Sequence, residues 1–193
     1  MTHSLSETWR DLREKIRGYP TTAFWVCLIG VSLENMDQAF FSFVLPQISK
    51  ELDWTVEERG WYIALTFAIA GICIAALGSL TDRVGRKAVF STSMLIGSSF
   101  VAAMYWARST FSVVALRTLG FATGGIQSPV VGTIVVEETP ARYRGLDASG
   151  ILQIGYPIGW FLASQFVLLL SDRFGWRSVF FVALLFVPYM FVI

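Results

Sequence analysis

Gly78-Ser79-Leu80-Thr81-Asp82-Arg83-Val84-Gly85-Arg86-Lys87 is the stretch on which the reading of this chain turns. It separates two apolar runs, 59–80 and 88–106, each close to the roughly 20 residues that a helix needs to cross a bilayer core. A glycine such as Gly78 at the end of a span lets a neighbouring helix come close, and Gly85 permits a tight turn between two helices. Asp82 can sit against the positive N-terminus of another helix or pair with a basic residue, a contact able to form and break. The stretch reads as a connection between two membrane spans, with a latch built into it.

Outward from it the same pattern repeats. Six apolar runs lie between polar breaks: 23–46, 59–80, 88–106, 110–136, 146–170 and 177–193. The composition agrees, with 54% hydrophobic and only 15% charged residues and a mean hydropathy of +0.58. Soluble chains carry about 25% charged residues. A formal charge of +1 over 193 residues lacks the basic footprint of a nucleic-acid binder. Cys27 and Cys73 stand far apart in apolar runs, and the single histidine, His3, lies in the tail, so neither a disulfide framework nor a metal site is expected. No signal peptide precedes the first run.

Basic residues set the direction. Arg10, Arg13, Lys15, Arg17, Arg83, Arg86, Lys87, Arg142 and Arg144 fall on one face, and Lys50, Arg59, Arg108, Arg173 and Arg177 on the other, which places the N-terminus in the cytoplasm. Residues 1–22 form a first segment. Ser4 and Glu7 have capping-box spacing, and Leu5, Trp9, Leu12 and Ile16 recur at helical intervals among basic residues, as in a short helix lying on the cytoplasmic leaflet and ended by Gly18 and Pro20. Residues 23–193 form the bundle.

A shift of ninety positions lays Asp82-Arg83-Val84-Gly85-Arg86-Lys87 over Asp172-Arg173-Phe174-Gly175-Trp176-Arg177, each after the second span of a group of three. Three is odd, so the second copy is inverted in the membrane, as in the repeats of secondary transporters. The expected fold is an all-α membrane protein of six transmembrane helices arranged as two inverted three-helix repeats.

The decisive stretch resembles the signature loop of the major facilitator superfamily, G-x-x-x-D-R-x-G-R-K, and matches it at every position. Glu138-Thr139-Pro140-Ala141-Arg142-Tyr143-Arg144-Gly145 resembles the family's E-x-P-x-x-x-R-G loop, and Gly175-Trp176-Arg177 with Phe180 its entry to span six. The resemblance implies half of a twelve-helix fold, and it makes Gly78, Asp82, Arg83, Gly85, Arg86 and Lys87 a gating loop that closes on the second half. Two departures stand out. Arg117 is followed by Gly120, one position short of the family's span-four spacing, and Gly155-Tyr156-Pro157-Ile158-Gly159-Trp160 does not meet the span-five pattern that marks antiporters.

Glu34 and Asp37 fall inside the first span, where an acid near the bilayer centre costs about 2.5 to 3.5 kcal/mol on insertion scales. Three residues apart, they share a helix face, and protonation of one of them near neutral pH becomes feasible. Arg117 in the fourth span reaches a depth compatible with an ion pair to Asp37. Asp37, Glu34 and Arg117 are therefore the expected proton-coupling residues. Gln127, which takes Asp37's place under the ninety-residue shift, is the first candidate for a substrate hydrogen bond, with Gln38 and Gln153 beside it. No histidine in a span, no Walker loop and no nucleophile–base constellation suggests an enzyme, and no cofactor is implied.

The function these residues suggest is secondary active transport of a small solute, an organic anion or a sugar-like molecule, by proton-coupled symport with alternating access in the cell (inner) membrane. The partners are the solute, protons, the bilayer and a second six-helix half. From Arg177 to Ile193 is only about 25 Å of helix, so the sixth span reads as truncated and the chain as an N-terminal half or fragment. A half-size transporter acting as a homodimer, an antiporter half, and a non-transporting membrane module that pairs with another protein remain alternatives.

Overall fold

The computed structural model describes residues 19–138 and 144–186, which are helical with no strand among them. The helices are α1 (Tyr19–Glu51), α2 (Val56–Val84), α3 (Arg86–Ala103), α4 (Thr110–Gly124), α5 (Gln127–Glu138) and α6 (Arg144–Phe174). A 3₁₀ turn, Met104–Trp106, ends α3, and a 3₁₀ helix, Trp176–Phe186, follows α6. Among the described residues four stretches are long and apolar enough to cross a membrane: Val56–Gly78, Arg86–Trp106, Thr110–Glu137 and Gln153–Phe174. The first expected span is not among them, although α1 runs for 33 residues. Its apolar run is broken near the middle by Glu34, Asn35, Asp37 and Gln38, the polar set on which the function is read. Of the last expected span only residues 177–186, within the 3₁₀ helix, are described. The surface helix expected before residue 19, and the Pro140 loop, fall outside the described residues.

Local chemistry accounts for the helix ends. Pro20 stands in the first turn of α1, where a missing N–H leaves no intrahelical bond unmade. Thr55 and Glu58 form a capping box at α2: the Thr55 N–H donates to Glu58 Oε2 at 2.9 Å and the Glu58 N–H to Thr55 Oγ1 at 3.2 Å. Ser109 and Ser112 do the same for α4. The signature stretch differs from the loop that was expected. Its first seven residues continue α2 to Val84, and Gly85 alone makes the connection, with a φ of 96° that suits glycine. Gly175, ninety positions on, joins α6 to the 3₁₀ helix in the same way with a φ of 79°. At Gly78, in contrast, a Cβ would meet nothing within 4 Å among the described residues.

The close approach falls on α6. A Cβ on Gly155 would come within 2.8 Å of Val31, and one on Gly159 would run into the Ser32 carbonyl and lie 2.8 Å from Met36 N. These two glycines, four apart on one face, let α6 lie along α1, the most extensive helix pairing in the bundle. Elsewhere α2 packs on α4, and α3 packs on α4 and the 3₁₀ helix.

The fourth span is also not the single helix expected over 110–136. It is interrupted at Gly125 and Ile126 because Pro129 has no N–H to offer the Gly125 carbonyl, and Gly124 and Gly125 oppose little resistance to the break. Two apolar clusters hold the bundle. One joins Met36, Phe40, Val44 and Ile48 of α1 to Met94, Val113, Val179 and Phe180, and the other joins Cys27, Leu28 and Val31 to Val89, Phe90, Val130 and Val131. On α1 the polar residues Glu34, Asn35, Asp37 and Gln38 straddle the junction of the two.

Candidate functional site

Between those clusters lies a small cavity of about 20 Å³, room for one water, lined by Glu34, Asp37 and Gln38 of α1, Arg117 of α4 and Gln127 of α5 among others. Small residues on the neighbouring helices make the space. Gly97 of α3 faces Gly124 and Thr123, and Gly120 packs on Val101. After the break between α4 and α5, Gln127 lines the cavity and Ser128 meets Glu34 at the start of a new helix.

Glu34 is buried and fully engaged. Its Oε1 accepts from Gln38 Nε2 at 3.0 Å and its Oε2 from Ser128 Oγ at 3.3 Å. Ser128 had no signal in the sequence, since nothing local links it to a residue 94 positions away. Asp37 is different: its Oδ1 is shut off from solvent and has no hydrogen-bond partner. Arg117 lines the same cavity and interacts electrostatically with Asp37, but the two do not close into a direct ion pair. The Arg117 guanidinium instead lies over two rings, 4.7 Å from the centre of Phe41 and 5.3 Å from that of Phe121. Gln127 is buried with its Oε1 unpartnered. Asp37 and Gln127, equivalent under the ninety-residue shift, thus border one space, each with an acceptor to spare. Gln153 is not brought there; it is exposed on α6.

At one end of the bundle Arg86 forms an ion pair with Glu137, tying the start of α3 to the end of α5. Arg83 and Lys87 are exposed, and the Asp82 side chain lies outside the described residues. At the other end Arg177 donates to both oxygens of Glu51, at 2.7 and 2.6 Å, and through Nε and Nη2 to the Ala107 carbonyl at 3.2 and 3.1 Å. Trp176 Nε1 adds a bond to Glu51 Oε2 at 2.8 Å. These donors, Arg177 first, hold the Glu51 carboxyl below its usual range against the opposing effect of burial. Neither pair was assigned from the sequence, because each joins residues more than fifty positions apart.

The family model of the Major Facilitator Superfamily matches residues 27–193. The chain belongs to that superfamily. Among curated members, this superfamily chain is 31% identical over 189 residues to the niacin transporter NiaP of Acinetobacter baylyi, covering 95% of this chain and 43% of that protein. It is 32% identical to the 4-hydroxybenzoate transporter PcaK of the same organism, over 80% of this chain and 34% of PcaK. It is 27% identical to the gallate transporter of Pseudomonas putida, over 88% of this chain and 38% of that protein. The chain spans less than half the length of these relatives. It is an integral membrane protein whose relatives carry small solutes.

Proposed function

We propose that this chain supplies the N-terminal six-helix half, built as two inverted three-helix repeats, of a proton-coupled symporter for small organic carboxylates, working by alternating access with its N-terminus in the cytoplasm. The supporting observation is a buried acid with an unpartnered oxygen beside a cation that only aromatic rings engage: Asp37 and Arg117 share a cavity and feel each other's charge, yet among the described residues no direct ion pair ties them. A solute carboxylate that engages Arg117 competes with Asp37 for the only cation that lines that cavity among the described residues. Deprived of it in an apolar surrounding, Asp37 takes up a proton, because an isolated carboxylate there is costly. Solute and proton then enter together and leave together as the halves rock.

Glu34 plays the supporting part. Its two accepted hydrogen bonds hold α1 to the break in the fourth span, so the cavity keeps its shape while Asp37 changes charge. Gln127 and Gln38 offer the remaining polar contacts. Niacin, 4-hydroxybenzoate and gallate, carried by the relatives, are all carboxylates on one six-membered ring, and that favours an organic acid over a sugar. Arg86 and Glu137, with Asp82, serve as the latch at the cytoplasmic end. The test is proton uptake on addition of solute to a transporter completed by a second half, with Asp37→Asn as the discriminating variant. Proton release in exchange for solute would instead mark an antiporter.

A further inference from the structure

A second cavity of about 120 Å³ opens on the other side of Arg117, between α1, α2 and α4. Resting on the carboxylate reading above, we infer that it seats the ring of an aromatic monocarboxylate whose acid group is held by Arg117. Size selects the ligand first: apolar cavities near 150 Å³ take a benzene ring, so this space suits one six-membered ring and no more. Its walls select further. Phe41, Trp54, Tyr62 and Phe67 surround it, offering ring faces and edges, with the hydroxyls of Ser42, Tyr62 and Thr66 beside them. Charge fixes the orientation, since Arg117 is the only charged residue lining the space and its guanidinium donates no hydrogen bond or ion pair among the described residues.

The walls are set before any ligand arrives. Trp54 Nε1 donates to Thr110 Oγ1 at 2.8 Å and the Trp54 and Tyr62 rings lie 4.8 Å apart; Phe67 meets Phe121 edge-on, also at 4.8 Å. Fixed aromatic walls reduce the ordering cost of binding.

Binding can be measured on this chain joined to a second half, in lipid nanodiscs, by titration calorimetry with benzoate and with acetate, equal in charge but lacking the ring. Benzoate should bind at least about tenfold more tightly than acetate. Val114 lines the cavity from α4. Val114→Phe fills it and should weaken benzoate binding by roughly tenfold or more, whereas Val114→Ala should improve binding of the two-ring acid 2-naphthoate by a similar factor, a gain that misfolding cannot produce. Equal binding of benzoate and acetate, or benzoate affinity and 2-naphthoate affinity both indifferent to position 114, would overturn the seat. If a completed transporter accumulates benzoate in spite of that, the transport reading stands and only the seat is lost. If the Val114 effects appear and no accumulation does, the seat stands and the transport reading falls.

Discussion

Replacing Gly159 with alanine adds one methyl group where α6 crosses α1. The added carbon would collide with the Ser32 carbonyl and stand 2.8 Å from both Asn35 Cβ and Met36 N, whereas contacts between carbon atoms are ordinarily about 3.5 to 4.0 Å. Two of those three neighbours are backbone atoms that no rotamer change can move, so the helices must separate along the main interface of the bundle. Overpacking of this kind costs about 1 to 3 kcal/mol, and backbone neighbours place Gly159 near the top of that range. Alanine's better helix propensity returns up to about 1 kcal/mol. A net loss of about 2 kcal/mol remains, some thirtyfold in the unfolding equilibrium. Unfolding by sodium dodecyl sulfate in mixed micelles, followed by circular dichroism, measures it. Gly150→Ala is the control on the same helix, since nothing lies within 4 Å of a Cβ there, and it should be neutral or slightly stabilising. Equal stability of the two variants would refute the close α1–α6 packing.

Two further outcomes follow from the ends of the bundle. Because hydrogen bonds from Arg177 hold the Glu51 carboxyl below its ordinary range, the contact stabilises the fold above that range and is lost as pH falls through the depressed value, so melting temperature should fall as the pH drops below the ordinary carboxylate range. Glu51→Gln should flatten that part of the profile and cost only about 1 kcal/mol at neutral pH, since the Glu51 side chain is 42% exposed; an unchanged acid profile would contradict the assignment. In a background without Cys27 and Cys73, cysteines at Asp53 and Lys87 should label from opposite faces of the membrane, and labelling from the same face would overturn the alternation of spans.

The sequence announced the fold through features that act locally. Gly85 and Gly175 could be read as turns because a single glycine between two helical runs has few other uses, and the ninety-residue echo of their surroundings is matched by their positive φ angles. Glu34 and Asp37 were legible because charge inside an apolar run demands a reason. What escaped depends on register between distant segments. Gly155 and Gly159 were weighed only against an antiporter pattern, whereas their role is to seat α1, and that requires knowing which helix lies against α6. Gly78, read as a contact glycine, has no neighbour within reach of a Cβ among the described residues. Pro129 carried the signal for the break in the fourth span, a missing donor four residues after the Gly125 carbonyl, but the surrounding apolar run masked it. Gln153 was placed with the other amides by composition alone, and helix rotation carries it away from them. The aromatic residues around Arg117 were indistinguishable in sequence from those that face lipid.

Proton movement on solute addition bears most directly on coupling through Asp37. In a transporter completed by a second half and reconstituted into lightly buffered liposomes, adding benzoate outside should make the external medium more alkaline in step with solute entry. Asp37→Asn should abolish that alkalinisation and any uphill accumulation, yet leave exchange of labelled for unlabelled benzoate across the membrane. An Asp37→Asn transporter that still takes up protons and accumulates benzoate against a gradient as the parent does would contradict the account, and would leave Asp37 as no more than a neighbour of Arg117.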